Sequence, residues 1–176
     1  MPIATGTHKL GPDNASLHVK TGRSGAAAAA GHDLVLNVTS WEATLEVGDR
    51  TSLELTADAT SLSVLEGKGG MKALTEDDKA DIKKSIDKDV LKKKAIHFKS
   101  SDVEGDGPLT VKGDLEIAGR TSPVQFTLDV AEDGALQGSA PLKQSDFAIK
   151  PYSALFGALK VNDELEVVVE ATVPTA

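Results

Sequence analysis

"LTVKGDLEI", Leu109–Ile117, decides the fold class of this chain. Leu109, Val111, Leu115 and Ile117 are apolar while Thr110, Lys112, Asp114 and Glu116 are polar, a period of two that turns one face of a strand inward and the other to water. The same alternation recurs in Trp41, Ala43, Leu45 and Val47, in Leu53 and Leu55, in Val124, Phe126, Leu128 and Val130, and in Leu165, Val167, Val169, Ala171 and Val173. These are half-exposed antiparallel strands, not the continuous apolar runs of a buried parallel sheet. Candidate strands fall near residues 15–21, 34–38, 41–47, 52–58, 62–66, 96–104, 109–117, 124–131, 135–143 and 165–173, about ten in all. Gly and Asp in "VGDRTS" (47–52) and "AEDGAL" (131–136) predict hairpins. So many strands in one antiparallel domain must close or fold over, because a long open sheet leaves its edges bare.

"TEDDKADIKKSIDKDVLKKK", residues 75–94, breaks the pattern and predicts one long helix. Thr75 as N-cap with Asp78 three residues on makes a short-chain capping box, the acidic first turn suits the positive end, and the closing lysines suit the negative end. Ile82, Ile86 and Val90 recur every four residues with Leu91 beside them, so the apolar stripe is narrow. Such a helix lies on something, either an open sheet edge or a barrel mouth. "RSGAAAAAGHD" predicts a short helical turn or loop with Gly31 as C-cap, and "GKGGMK" (67–72) the most mobile loop. "PYSALFGAL" (151–159) predicts a compact apolar turn that closes one barrel end.

Composition narrows the function classes. The chain has 176 residues, enough to bury a real core as a single domain over 1–176, and a formal net charge of −8, which argues against tracking nucleic-acid phosphates. The lysine run Lys92–Lys94 follows aspartates and reads as a solvated helix end. No apolar stretch is long enough to span a membrane, and "MPIATGTHKL" shows no secretory signal, so a cytoplasmic location is expected. The absence of cysteine excludes thiol chemistry.

His32 and Asp33 point to opposite faces of a strand and cannot form a base–carboxylate pair; no nucleophile elbow occurs, so no catalytic residue is assigned. His8, His18 and His97 lack metal-ligand spacing, and neither metal nor cofactor is expected. His32 reads better as a lumen-facing residue that hydrogen-bonds a ligand head group. Lys68 and Lys72, set among glycines, are the place for an anionic head group if the ligand carries one.

The runs "DVLKKKAIHFKSSDV", "LTVKGDLEIAGRTSPVQFTLDV", "QSDFAI" and "LKVNDELEVVVEATV" resemble the YceI-like family in order and spacing, over about Leu10 to Val173. The resemblance implies an extended, lipocalin-like antiparallel β-barrel with one inserted amphipathic helix. It also implies a lumen that holds a long isoprenoid chain: a polyprenyl alcohol, a polyprenyl phosphate or a quinone tail. Many family members are periplasmic and carry a signal that is not seen here. By periodicity the lining should be Leu34, Leu36, Leu53, Leu55, Phe98, Val111, Leu115, Ile117, Phe126 and Leu128, with Ile82 and Ile86 above and Tyr152 and Phe156 at one end. Binding, storage or transport of such a lipid is the expected function, without catalysis. An enzyme or redox partner acting on an isoprenoid or quinone, or a structural module with a filled core, are the alternatives. The oligomeric state stays open, a homodimer included.

Overall fold

The computed structural model describes residues 2–176. The strands run, in chain order, β1 (Gly6–Leu10), β2 (Ala15–Lys20), β3 (Arg23–Ser24), β4 (Asp33–Val38), β5 (Trp41–Val47), β6 (Ser52–Ala57) and β7 (Leu62–Lys68). Helix α1 (Glu76–Ser85) separates these from β8 (Ile96–Glu104), β9 (Leu109–Ile117), β10 (Arg120–Val130) and β11 (Ala135–Lys143). β12 (Ser153–Ala154), β13 (Leu159–Val161) and β14 (Glu164–Thr172) complete the chain. Eleven strands make one sheet in the order β1-β5-β6-β8-β9-β10-β11-β14-β2-β4-β7, and β12, β13 and β3 form a small second sheet. Every strand pairing is antiparallel, as the alternation predicts. β5 shows why: Trp41, Ala43, Leu45 and Val47 are buried while Glu42 and Glu46 are exposed.

The sheet is strongly curled. Laid flat, ten strand spacings would set β1 and β7 about 48 Å apart, yet Leu10 of β1 and Leu62 of β7 line the same cavity. The bend is made at one corner, where the link between β4 and β5 meets the link between β6 and β7. Asp58 N–H donates to Ser40 O at 2.9 Å and Thr39 N–H to Ser61 O at 3.0 Å. β4–β5 and β6–β7 are thus the two arms of one bent hairpin: β4 and β7 close one end of the sheet, and β5 and β6 lie next to β1, which forms the other. Among the described residues β1 and β7 are not hydrogen-bonded to each other, so the observed form is a curled half-barrel with a helical insertion.

α1 covers the exposed side of β7. Lys83 Nζ donates to the carbonyls of Thr60 and Leu62 and pairs with Asp87 at 3.1 Å, which occupies acceptors that an edge strand leaves free. The capping box is present: Asp78 N–H donates to Thr75 Oγ1 at 3.1 Å and Thr75 N–H to Asp78 Oδ2 at 2.9 Å. The far end differs from the predicted single helix. The α-helix stops at Ser85, and Ile86–Val90 form a π-helical turn closed by Leu91 N–H to Ile86 O at 2.9 Å. The wider turn lets Leu91, only 5% exposed, reach the core. Lys92 and Lys93 then take left-handed φ values of 54° and 55°, so the lysines follow the helix rather than close it.

Sequence and structure differ at two further points. β1 was not among the candidate strands, because "GTHKL" has too few alternating positions to register. The alanine run does form a short helical turn, Ala28–Ala30, but Gly31 is extended and serves contact instead: a Cβ there would sit 2.6 Å from Leu159 Cδ1. The β9–β10 hairpin turns on Ala118 and Gly119, both at positive φ (52° and 78°), the tight mirror-image turn that suits twisted strands. No described helix is long and apolar enough to cross a membrane.

Candidate ligand cavity

The inner faces of the curled sheet do not meet. They enclose a cavity of about 1080 Å³. Its wall is apolar by strand periodicity: Leu34 and Leu36 from β4, Leu53 and Leu55 from β6, Leu115 and Ile117 from β9, and Leu128 from β10. Phe98 of β8 and Phe126 of β10 meet across the intervening strand, ring centroids 5.6 Å apart and planes inclined by 57°. Gly113 of β9 makes this possible, since a Cβ at that position would fall 2.7 Å from the Phe98 ring. Ile82, Ile86, Val90 and Leu91 close the side under α1.

One end is solid. Ile3, Val47, Leu109, Val111 and Val173 are buried and do not line the cavity; they fill the space beyond its floor. Val111 is therefore corrected from lining to floor: the inward face of β9 changes role along the strand, from packed core at Leu109 and Val111 to cavity wall at Leu115 and Ile117. The opposite end is open, because Met71 and Tyr152 line the cavity while remaining 87% and 58% exposed.

The mouth is framed by the glycine-rich loop and the small second sheet. His32 lines the cavity, and its Nε2 donates to Lys72 O at 2.7 Å, which places the proton on that nitrogen because a carbonyl can only accept. Arg23 Nη1 donates to Lys68 O at 2.9 Å and lies 3.4 Å from Asp33 Oδ2. Gly69 and Gly70, at φ of 80° and 76°, are required here twice over: a Cβ on Gly69 would strike the Arg23 guanidinium and one on Gly70 the His32 ring. The loop is thus backed by two side chains rather than hanging free.

Lys72 lines the cavity, but Lys68 does not; its ammonium turns outward, 3.9 Å from Glu66 Oε2. Tyr152 lines the mouth, whereas Phe156 is fully exposed outside it and is corrected from lining to surface. Its left-handed φ of 55°, between Leu155 at 51° and Gly157 at 86°, turns the tip of the loop outward. Arg23 was missed because a lone arginine in "TGRSG" matches no motif; it becomes meaningful only once the glycines opposite it are seen. Among the described residues no group of three or more metal-ligating side chains is gathered.

One lining residue carries an unanswered polar atom. Trp41 is 7% exposed, borders the cavity, and its Nε1–H is the buried side-chain donor without a hydrogen-bond partner among the described residues. The indole nitrogen has no surface open to the cavity, so this donor is enclosed by the surrounding packing, an unpaired group that costs stability and that a ligand in the cavity does not reach.

The YceI-like domain matches residues 11–173. The chain belongs to the YceI-like family. Two solved structures share the YceI-like fold at low identity. BcnA of Burkholderia cenocepacia is 17% identical with a TM-score of 0.64, covering 89% of this chain and 94% of that one. A mutant CJ YceI protein with a monobromobimane guest is 16% identical with a TM-score of 0.57, covering 80% and 84%. No curated protein sequence matches the chain. The match spans β2 to β14 and the helix, which enclose the cavity described above.

Acid should loosen the helix anchors before the sheet. Asp78 has its pKa lowered by the backbone N–H and then the side chain of Thr75, and Asp58 by the backbone N–H and then the hydroxyl of Thr60. A depressed carboxylate contributes stability that is present above its unfolded pKa, about 4, and lost as pH falls through its folded value. Both carboxyl groups are expected to titrate below an unstructured aspartate in a carbon-detected NMR titration, with the amide signals at residues 58–61 and 75–78 shifting in the same window. Ordinary midpoints at both positions would show that neither cap is formed.

Proposed function

We propose that the protein binds, and so stores or carries, a long-chain isoprenoid lipid, with the curled sheet, its bent corner and α1 together acting as a closed lipocalin-like container. The single observation that supports this reading is the cavity of about 1080 Å³ with a nearly continuous apolar lining. That exceeds the span of ordinary drug-sized pockets, about 300–1000 Å³. A chain of methylenes gains about 0.8 kcal/mol for each one buried, so a smooth apolar wall suffices for tight binding. The expected lining residues His32, Leu34, Leu36, Leu53, Leu55, Ile82, Ile86, Phe98, Leu115, Ile117, Phe126, Leu128 and Tyr152 all face that space.

At the mouth Lys72 is a cation that borders the cavity and suits an oxygen-bearing head, whether alcohol, quinone or phosphate. Arg23 is already engaged by Asp33 and Lys68 O, and the N-terminus of α1 is closed by its own capping box.

The test is organic extraction of the purified protein followed by mass spectrometry, with competition binding on the emptied protein. A stoichiometric prenyl lipid is expected in the extract. A prenyl alcohol or quinone should bind roughly tenfold tighter than a hydrocarbon of equal length, the value of one hydrogen bond made by the head group at the mouth. Protein that is empty and binds none of these lipids would overturn the reading.

A further inference from the structure

We propose that the mouth of the cavity is also a docking surface for an anionic phospholipid bilayer. Two segments frame the mouth, residues 67–72 ("GKGGMK") and 150–160 ("KPYSALFGALK"). Of the large apolar side chains that the described fold leaves exposed, Leu65 alone lies elsewhere; Met71, Tyr152, Leu155 and Phe156 all belong to these segments, at 87%, 58%, 58% and 112% exposure. The same segments hold Lys68, Lys72, Lys150 and Lys160 and not one carboxylate, on a chain whose net charge is −8.

The two segments are neighbours. Arg23 bridges them, its guanidinium on Lys68 O and its backbone paired with Val161. Lys160 borders both the cavity and the groove that contains Phe156 and Lys150. The loop tip holds Leu155 and Phe156 in the left-handed region, which side chains rarely adopt, and there they meet water instead of core. Apolar tips with lysines beside them are what an interfacial anchor uses: the tips enter the headgroup boundary and the lysines meet anionic phosphates, with Glu66, 3.9 Å from Lys68, and Asp163, on the groove of Phe156 and Lys150, as carboxylates nearby. The rest of the acidic surface is repelled by such a bilayer, so the charge pattern also orients the molecule mouth-down.

The inference rests on the lipid-carrier reading for its purpose, but it can fail separately. The experiment is vesicle flotation with phosphatidylcholine alone and with added phosphatidylglycerol, alongside mass spectrometry of lipid extracted from the same protein. Wild-type protein is expected to float with the phosphatidylglycerol vesicles and to be released by salt. Leu155→Ser with Phe156→Ser, and independently Lys68→Glu with Lys150→Glu, should each cut the bound fraction roughly tenfold. None of these four side chains lines the cavity, so the thermal transition and the lipid load should stay unchanged. Wild-type protein that carries lipid yet fails to float overturns the docking surface alone; protein that floats without a prenyl lipid overturns the carrier reading alone. Variants that float as well as wild type refute the proposal. So does a wild-type dimer that Phe156→Ser dissociates without any vesicle binding, since the patch would then belong to a second copy of the chain.

Discussion

Replacing Ile86 with aspartate is expected to release a bound prenyl lipid roughly tenfold faster while the main thermal transition moves little. Ile86 lines the cavity from the π-helical turn and is only partly buried, and α1 itself contains no fully buried residue. The helix is held to the sheet by its narrow apolar stripe, by Leu91 and by Lys83 on the Thr60 and Leu62 carbonyls. A carboxylate on the stripe would be desolvated without a partner and would sit near Asp89, which borders the same space. The loss falls on the seal between helix and cavity, because the strands keep their own pairings and local opening is cheaper than global unfolding. Stopped-flow transfer of lipid to acceptor vesicles measures it. A variant that cannot fold would make α1 part of the core, and an unchanged release rate would move the exit to the segment 151–159.

The opposite response is expected at the floor. Leu109→Ala should cost about 2–5 kcal/mol, a shift on the order of 1–2 M in the urea midpoint, with lipid affinity per folded molecule nearly unchanged. Leu109 is 1% exposed and packed beyond the cavity, so truncation opens a void where none existed. Leu55→Ala removes the same atoms from a side chain that already faces open space. Its effect on the midpoint should be less than half as large, and its main consequence should be weaker lipid binding. Equal costs at the two positions would mean that the wall and the floor are packed alike, and that the cavity does not persist in solution.

The strands were legible in the sequence wherever one face is wet and the other dry, since water enforces a period of two along β5, β9, β10 and β14. That rule identifies the inward face but not what the face meets. Val111 and Leu115 lie on the same side of β9, and only the curl of the whole sheet makes one floor and the other wall. The capping box at Thr75 was readable because it is local, three residues from end to end. The π turn was not, because it answers to where Leu91 must go. Phe156 misleads for a related reason: aromatic residues are ordinary core material, and nothing in "SALFGAL" announces a left-handed tip that turns the ring outward. Arg23 and the pairing of β3 with β13 join residues far apart in the chain, beyond the reach of any local pattern.

The bent hairpin also has a kinetic meaning. Residues 33–68 supply β4 and β7 at one end of the curled sheet and β5 and β6 beside β1 at the other, so bringing those regions together closes a short loop and demands little chain entropy. The long-range burden falls on the seam between β2 and β14, where Val19 faces Val167 and Leu17 faces Val169 across nearly the whole length of the chain. Slow, high-separation pairings of this kind govern the folding rates of β proteins. In this molecule the ring's apparent gap, between β1 and β7, lies beside its most local contacts, and its unbroken ladder contains its most distant ones.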